Sequence, residues 1–346
     1  MTQLKVAVIG CGSIAQHRHL PEYQMNEQTE IVAVCDVVEE RVKEVAEKYG
    51  ATAYTSYEEL LEKETIDAVS VCLPNALHAP VSIAALEAGV HVLCEKPMAT
   101  SREEGEAMIT AAEKSGKKLM IAHNQRFVPS HVKAKELIAS GAIGKVYSFR
   151  TAFGHGGPEG WSVDGAESWF FKKDEAFIGA MGDLGVHKAD LLRYILGEEF
   201  VDVAGFVENN AKEGITVDDN AVCILRTESG TVGTMAASWA YKPSEDNSTV
   251  IYGEKGMLRI EDDPVYSLIA QYTNGDVVNY QLGKIQSNED GGQSDSHVID
   301  HFATSILNDT QPLITGEEGL KSLEVILSAL RSSETGQISR LEKVSK

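Results

Sequence analysis

The chain has 346 residues, of which 43% are hydrophobic and 24% are charged, a composition typical of globular proteins. Its formal net charge of −21 argues against nucleic-acid and anionic-membrane partners, because both bind positively charged surfaces. The five cysteines are widely spaced and form no C-x-x-C motif. We therefore expect buried thiols in a cytoplasmic protein, with neither a disulfide framework nor a metal site. The first residues lack the layout of a signal peptide, and no apolar run reaches the roughly 18 residues that span a bilayer.

The first third of the chain alternates short apolar runs with helical patterns. Strands are predicted at 4–10, 30–36, 68–74, 91–95 and 118–124, with helices after the first strand and at 39–50, 76–89 and 101–115. Because each strand is apolar on both faces and is followed by a helix, the pattern favours a parallel, doubly wound sheet. The predicted fold class is α/β, with a Rossmann domain over residues 1–124.

The pattern changes after about residue 125, and the length also predicts a second domain. Helices are predicted at 129–139 and 182–197, and strands at 145–153, 201–207, 221–227, 231–239, 248–253 and 256–260. Their alternation and short turns favour a large, mostly antiparallel sheet. A polar loop at 286–296 and two helices follow, the last one opened by a capping-box pattern at Thr315. We expect an α+β domain over residues 125–346.

A glycine-rich turn follows the first predicted strand. Residues 10–15 read G-x-G-x-x-A, in which Gly10 permits the tight turn and Gly12 lets a pyrophosphate approach the backbone. Ser13 and Ile14 complete the turn, and the helix that starts there presents its N-terminus to phosphate charge. This position, between strand and helix of the first βαβ unit, predicts a dinucleotide site.

Asp36 ends the second predicted strand, where an acid accepts hydrogen bonds from the adenosine ribose. A carboxylate there repels a 2′-phosphate, and Val37 and Val38 offer no compensating cation. The sequence therefore favours NAD over NADP. The alternative interpretation is that Asp36 is only the N-cap of the next helix.

Lys96 follows directly after the strand at 91–95. Ligands of a doubly wound sheet bind beyond the carboxyl ends of its strands, so Lys96 is predicted at the functional edge. Pro97 restricts the backbone of Lys96 to extended conformations. The alternative is a solvated lysine at a strand end.

Asp183 and His187 are four residues apart in a helical pattern and can project from one face. Neutral imidazole can accept the proton of an alcohol during its oxidation, and a carboxylate can orient the imidazole or bind a second hydroxyl. A cation such as Lys96 would stabilise the developing alkoxide. Glycines at 179, 182 and 185 indicate close approach by backbone or ligand. The alternative is an exposed helix with a surface acid and an incidental histidine.

Together these motifs resemble the Gfo/Idh/MocA family of glucose–fructose oxidoreductases and inositol dehydrogenases. The resemblance rests on Gly10-Cys-Gly-Ser-Ile-Ala15, Asp36, Leu73-Pro74-Asn75 with His78, Glu95-Lys96-Pro97, Arg126-Phe127, Gly182-Asp183-Leu-Gly-Val-His187-Lys-Ala-Asp190 and Ile314-Thr-Gly-Glu-Glu-Gly319. It implies an NAD(P)-dependent oxidoreductase of sugars, polyols or their derivatives. It also implies a homodimer or homotetramer, because the open sheet of the second domain often forms the oligomer contact.

The resemblance assigns roles residue by residue. It makes His187 the general acid/base, sets Lys96 beside the reacting oxygen and makes Asp183 a substrate ligand or orienter. It leaves open whether Lys96 or His187 makes the first proton transfer. It also implies a cofactor-binding role for Pro74, Asn75, His78 and Glu95, with Asn75 and His78 on the nicotinamide-ribose side. The alternative is a helix N-cap for Asn75 and a surface position for His78.

The segment from Phe153 to Trp169 is rich in glycine and aromatic residues and is predicted to be a substrate-specific loop. His155 could bind a hydroxyl and Trp161 could pack on a sugar face, or the tryptophans could be core residues. Arg126 either lines the site or braces the domain junction.

The leading hypothesis is an NAD-dependent dehydrogenase of a cyclic polyol or sugar, with inositol-type substrates first. The alternatives are an NAD-using glycosidase of the same fold and a non-catalytic dinucleotide-binding sensor. The presence of Lys96, Asp183 and His187 together counts against the sensor.

Overall fold

The computed structural model describes residues 3–283 and 296–344. These residues form two compact units. Unit 1 contains residues 3–124, 161–169 and 296–320, and unit 2 contains residues 125–160, 170–283 and 321–344. The polar loop predicted at 286–296 lies, except for its last residue, outside the described residues.

Unit 1 is built on a six-stranded sheet in the order β3-β2-β1-β4-β5-β6, in which every pair of neighbours is parallel. Its elements are β1 (Leu4–Ile9), α1 (Leu20–Met25), β2 (Thr29–Cys35), α2 (Glu39–Tyr49), β3 (Thr52–Tyr54), α3 (Tyr57–Lys63), β4 (Ala68–Val71), α4 (Asn75–Glu87), β5 (His91–Cys94), α5 (Arg102–Ser115) and β6 (Leu119–Ile121). This strand order is the doubly wound order of dinucleotide-binding domains, so the predicted Rossmann sheet is confirmed.

The central strands bury both faces because they are continuous runs of small and β-branched apolar residues. All four residues of β4 are buried, as are the last four residues of β1. β3 and α3 were not predicted, because β3 is a three-residue edge strand with two exposed residues and carries little apolar signal.

The ends of four strands of this sheet lie in register. The last residues of β2, β1, β4 and β5 are paired across the sheet: Cys35, Ile9, Val71 and Cys94. The residues that follow them are tied to the same edge by backbone hydrogen bonds, from Gly10 N–H to Cys35 O at 2.8 Å and from Glu95 N–H to Val71 O at 3.0 Å. The glycine turn, Asp36 and the Glu95-Lys96 pair therefore share one edge of the sheet.

Unit 2 is built on a nine-stranded sheet in the order β14-β13-β12-β11-β7-β10-β9-β8-β15. Its strands are β7 (Val146–Gly154), β8 (Phe200–Glu208), β9 (Asn220–Thr227), β10 (Val232–Ser238), β11 (Thr249–Gly253), β12 (Gly256–Ile260), β13 (Leu268–Tyr272), β14 (Val277–Tyr280) and β15 (Ser339–Arg340). All neighbours are antiparallel except β7 and β10, so the predicted mostly antiparallel sheet is confirmed. The strands β13 to β15 were not predicted.

The remaining helices are α6 (Pro129–Ala139), α7 (Lys173–Ala176), α8 (Val186–Leu196), α9 (Val298–Leu307) and α10 (Gly316–Thr335). The α10 helix starts as predicted, since Thr315 Oγ1 accepts the N–H of Glu318 at 3.5 Å. No helix among the described residues is long and apolar enough to cross a membrane. All five cysteines are buried free thiols, as predicted.

Candidate active site

The glycine turn after β1 has the geometry that a dinucleotide requires. Gly10 has a φ of +95°, and a Cβ on it would lie 2.2 Å from the carbonyl oxygen of Cys72, so a larger residue is excluded there. A Cβ on Gly12 would meet no atom within 4 Å, so the space above the turn is open to a pyrophosphate. The chain then enters a π-helical turn over Ala15–His19.

Asp36 is buried at the end of β2, beside this turn. Its Oδ2 accepts the Cys11 N–H and its Oδ1 accepts the Val38 N–H, both at 2.9 Å. Val38 is the N-cap of α2 and no side chain caps that helix, so the alternative that Asp36 is its N-cap is wrong. A carboxylate held next to an open glycine turn fits the ribose and pyrophosphate of an adenine dinucleotide.

A cation does accompany Asp36, contrary to the expectation from Val37 and Val38. Arg41 Nη1 lies 3.6 Å from Asp36 Oδ2, because the first turn of α2 brings residue 41 back to the strand end. Arg41 Nη2 donates at 2.5 Å to Oδ1 of Asp164. Sequence reasoning missed Arg41, although a basic residue in the first turn after β2 was a visible signal.

Ser13 contacts the segment at residues 161–169, which belongs to unit 1. Its Oγ donates to the carbonyl of Trp161 at 2.9 Å and accepts the N–H of Val163 at 3.0 Å. The segment is therefore attached to the glycine turn. The substrate role of Trp161 stays a prediction.

Lys96 follows β5 at the same edge of the sheet, and its peptide bond to Pro97 is cis. The carboxylate of Glu95 is buried behind it and accepts the Lys96 N–H at Oε2 over 3.1 Å. The other oxygen of Glu95 lies 2.9 Å from His19 Nε2 and 3.6 Å from Arg18 Nη1.

His19 belongs to a chain of buried polar groups. Its Nδ1 lies 2.9 Å from Ser70 Oγ, which lies 2.8 Å from the hydroxyl of Tyr23.

Burial would raise the pKa of Glu95, but the hydrogen bond from His19 and the nearby charges of Arg18 and Lys96 lower that pKa to about 2. Sequence reasoning missed His19, because the π-helical turn that ends at His19, of a kind frequent at functional sites, is visible only in the structure.

The residues after β4 reach the same edge. Pro74 is the N-cap of α4, and Asn75 is its buried first residue. His78 is also buried, so the alternative of a surface histidine is wrong. Its Nδ1 lies 2.7 Å from the Pro97 carbonyl and its Nε2 lies 2.8 Å from the Leu73 carbonyl.

His78 thus joins the loops that follow β4 and β5. Burial lowers its pKa, and a neutral imidazole has one N–H, so it donates to one of the two carbonyls at a time. The cofactor-binding role of His78 stays a prediction.

In unit 2, Asp183 lies in a π-helical turn, Met181–Gly185, that runs directly into α8, where His187 is the second residue. Asp183 is 7% exposed and His187 is 8% exposed. The alternative of an exposed helix with a surface acid is therefore wrong. Two buried ionisable side chains on consecutive turns require specific partners.

Trp239 is one such partner. Its Nε1–H donates to Oδ2 of Asp183 at 3.1 Å, across 56 residues of sequence. The indole is fully buried, and the Phe171 ring meets it edge-on with centroids 5.8 Å apart. Trp239 is thus a core residue that also orients a predicted site residue, and sequence reasoning missed it.

Asp218 fixes the start of the same turn. Its carboxylate accepts the Gly179 N–H at 2.7 Å and the Met181 N–H at 2.8 Å. A Cβ on Gly179 would lie 1.9 Å from the Asp218 carbonyl oxygen, so the predicted close approach at this glycine is made by backbone. Burial raises the pKa of Asp218 to about 6.

The Phe153 ring lies near two of the predicted residues of unit 2, His155 and His187. Its ring centroid lies 5.9 Å from that of His187 and 6.0 Å from that of His155, and 5.7 Å from Lys188 Nζ. His155 Nδ1 accepts the Gly157 N–H at 2.9 Å, which leaves Nε2 as the protonated nitrogen of the neutral ring.

Arg126 binds Asp190 inside unit 2. Its Nε donates to Oδ2 at 2.8 Å and its Nη2 donates to Oδ1 at 2.6 Å, and both side chains are buried. Ser322 Oγ adds a third donor to Asp190 at 3.0 Å. This bidentate pair joins the 3-10 turn Asn124–Phe127 to α8, and the substrate role of Arg126 stays a prediction.

The structure thus gathers the predicted residues into two sets. In unit 1 the sheet edge holds Gly10, Gly12, Ser13, Ile14, Asp36, Pro74, Asn75, His78, Glu95 and Lys96. In unit 2 the neighbourhood of Phe153 and Trp239 holds His155, Asp183 and His187. The first set fits an NAD-type dinucleotide, and the second set supplies an imidazole and a carboxylate.

Both units are similar to known proteins. Residues 4–123 match the model of an oxidoreductase family with an NAD-binding Rossmann fold, and residues 131–259 match the GFO/IDH/MocA C-terminal domain. Myo-inositol 2-dehydrogenase of Thermotoga maritima is 28% identical over 99% of both chains. Levoglucosan dehydrogenase of Pseudarthrobacter phenanthrenivorans is 34% identical, over 58% of this chain and 56% of that protein.

Solved structures give the same result. Aldose-aldose oxidoreductase from Caulobacter crescentus superposes with a TM-score of 0.83 and 28% identity over 98% of this chain and all of the other. An oxidoreductase domain protein from Kribbella flavida superposes with a TM-score of 0.85 at 28% identity, over 99% of this chain and all of the other. The matched regions cover both units and carry the glycine turn and the Asp183 helix. The chain is an NAD-binding oxidoreductase and belongs to the Gfo/Idh/MocA family.

Proposed function

We propose that the protein is an NAD-dependent dehydrogenase that oxidises a secondary alcohol of a sugar or an inositol-like cyclic polyol. The observation that carries the proposal is the buried pair on consecutive turns of unit 2, Asp183 and His187, in which Asp183 is held by Trp239. An imidazole can accept the hydroxyl proton in alcohol oxidation, and a carboxylate can orient that imidazole.

NAD, when bound, supplies the acceptor for the hydride that leaves the carbinol carbon. His187 takes the hydroxyl proton, a role for which a neutral imidazole is chemically suited. The ammonium of Lys96 stabilises negative charge on the reacting oxygen. Asp183 accepts a hydrogen bond from a substrate hydroxyl, or orients the imidazole, with its second oxygen fixed by the indole N–H.

The dinucleotide is held by unit 1. Gly12 leaves the pyrophosphate open access to the backbone, and Asp36 accepts hydrogen bonds from the adenosine ribose. Glu95 accepts the backbone N–H of Lys96 at the same edge of the sheet, so the edge that holds the cofactor also positions the cation.

The proposed substrate class is based on the substrates that are named for similar proteins. Myo-inositol, levoglucosan and D-glucosides are named as the substrates of dehydrogenases similar to this chain. All three are rich in hydroxyl groups and uncharged. The Asp183 carboxylate and the two histidines beside Phe153 offer acceptors and donors for such hydroxyls.

A homodimer or homotetramer is part of the proposal. The sheet of unit 2 exposes an apolar group in which Phe206 is 72% exposed, beside its cross-strand partner Val222 and near Ile224. Such a group on a sheet face favours contact with a second copy.

The test is an assay of the purified protein with NAD and a panel of inositols, sugars and glycosides, followed at 340 nm. Sustained NADH formation with one compound class is expected, and His187→Ala should reduce kcat by at least about a hundredfold, the lower range for loss of a general base. Release of a glycoside's leaving group without net NADH would instead support the NAD-using glycosidase. Tight NAD binding with no turnover of any compound would favour the non-catalytic sensor.

A further inference from the structure

Arg41 is held between two carboxylates. Its Nη1 lies 3.6 Å from Oδ2 of Asp36, and its Nη2 lies 2.5 Å from Oδ1 of Asp164. Asp36, at the end of β2, is the proposed ribose-binding acid, and Asp164 lies 123 residues away from Arg41 in the segment at 161–169. Both acids and the arginine belong to unit 1.

The position of Asp164 is set by its neighbours. The segment is attached to the glycine turn through Ser13, whose Oγ bonds to the backbone at Trp161 and Val163. The Asp164 N–H contacts Ser162 Oγ at 3.4 Å, and the Asp164 carbonyl accepts the Glu167 N–H at 3.0 Å. Hydrogen bonds on both sides of Asp164 thus hold the segment that places its carboxylate beside Arg41.

The charge of this group matters for the cofactor. NADP differs from NAD by a 2′-phosphate, a phosphate monoester of charge about −1.5 to −2 at neutral pH. Arginine near the ribose is the usual binder of that phosphate, because its planar guanidinium forms two parallel hydrogen bonds to phosphate oxygens. Here two carboxylates, Asp36 and Asp164, share one guanidinium, so the three side chains together carry a net negative charge. The Nη2 edge of Arg41 is already bonded to Asp164.

We propose that Asp164 is a specificity-determining residue that excludes NADP by binding Arg41. Asp164 withholds the guanidinium from a 2′-phosphate, while Asp36 still accepts the ribose hydroxyls of NAD. Without Asp164, Arg41 can turn its Nη2 edge toward the 2′ position, and the local charge becomes neutral.

The experiment measures dissociation constants for NADH and NADPH by nicotinamide fluorescence on the full chain, at one ionic strength, since screening changes such contacts. The variants are Asp164→Asn, Arg41→Gln and the double variant. Glu167→Gln is the matched control, because Glu167 is an exposed acid in the same segment. This readout needs no substrate, so its result is independent of the proposed reaction.

In Asp164→Asn, the ratio of the NADPH to the NADH dissociation constant should fall about tenfold or more, equivalent to roughly 1.4 kcal/mol. The NADH constant should stay within about threefold, because the contacts of Asp36 are unchanged. The double variant should lose the gain in NADPH affinity, since the gain requires the guanidinium.

Three results would overturn the proposal. The first is an unchanged ratio in Asp164→Asn. The second is an equal shift in Glu167→Gln, which would assign the effect to overall charge. The third is a gain in NADPH affinity that persists in the double variant, because Arg41 would then have no part in it.

Discussion

His19 Nε2 lies 2.9 Å from Oε1 of Glu95, and both side chains are buried. Through its other oxygen Glu95 accepts the backbone N–H of Lys96. His19, at the end of the π-helical turn that follows β1, therefore helps to position Lys96, the proposed catalytic cation, which follows β5.

Loss of the His19 hydrogen bond should slow catalysis without weakening cofactor binding. In His19→Leu we expect kcat to fall about tenfold or more, since a buried hydrogen bond to a charged group contributes about 1.5–3 kcal/mol. The NADH dissociation constant, measured by fluorescence, should stay within about threefold. His19→Gln keeps an N–H donor toward Glu95 and should recover most of kcat. Equal losses in both variants would contradict a positioning role.

Glu95 should stabilise the fold in a pH-dependent way. Its pKa in the folded protein is about 2, against 4.5 for the free group, so its contribution is present above pH 4.5 and is lost as the pH falls toward 2. The shift corresponds to about 3 kcal/mol. Urea unfolding should show a large loss of stability for Glu95→Gln at pH 7 and a smaller one at pH 3.5. The control Glu30→Gln, at an exposed position of β2, should show no such dependence. If the difference in unfolding free energy between wild type and Glu95→Gln were the same at both pH values, a pH-dependent stabilising role of Glu95 would be ruled out.

Lys188 should also make the stability of the fold depend on pH, in a higher pH range than Glu95 does. It is fully buried and donates to the Asn247 carbonyl at 2.8 Å, and burial lowers its pKa to about 7. The other ionisable groups that act on it are His131 of α6 and the acids Glu245, Asp246 and Glu261. Between pH 7 and 10.5 the folded state binds fewer protons than the unfolded state, so stability rises with pH through that window.

Lys188→Met removes this dependence and keeps much of the apolar volume. Between pH 7 and pH 9 the wild type should gain about 2 kcal/mol of unfolding free energy relative to the variant. Denaturant titrations of both proteins at the two pH values measure the difference. Parallel stability curves would show that the ammonium does not titrate in this range.

Trp239→Phe should separate the packing role of Trp239 from its hydrogen bond to Asp183. The phenyl ring keeps an aromatic partner for Phe171, but the carboxylate loses the Nε1–H donor at 3.1 Å. We expect kcat/KM for the alcohol to fall about tenfold, in line with the cost of one hydrogen bond to a charged group. NADH affinity should stay within about threefold, because Trp239 orients Asp183, a proposed substrate residue. A similar loss in Phe171→Leu, which leaves the indole N–H in place, would assign the effect to packing instead.

Local sequence features determined the architecture of unit 1. Buried parallel strands are short, continuous apolar runs, and each was visible without knowledge of its neighbours, except for β3 at the edge. The glycine turn, Asp36 and Lys96 were predictable for a related reason. Each follows a strand directly, and the carboxyl ends of parallel strands meet at one edge of the sheet.

Tertiary structure decided which side chains hold these groups in place. Glu95 meets His19 across 76 residues, Asp183 meets Trp239 across 56, and Arg41 meets Asp164 across 123. None of these pairs has a sequence signal, because a side-chain contact between distant segments depends on how their elements pack and on the local turn geometry. The sequence by itself therefore determined the parallel, doubly wound character of the sheet and the edge predicted to bind the cofactor. The partners that fix charge and orientation at that edge and at Asp183 came only from long-range packing.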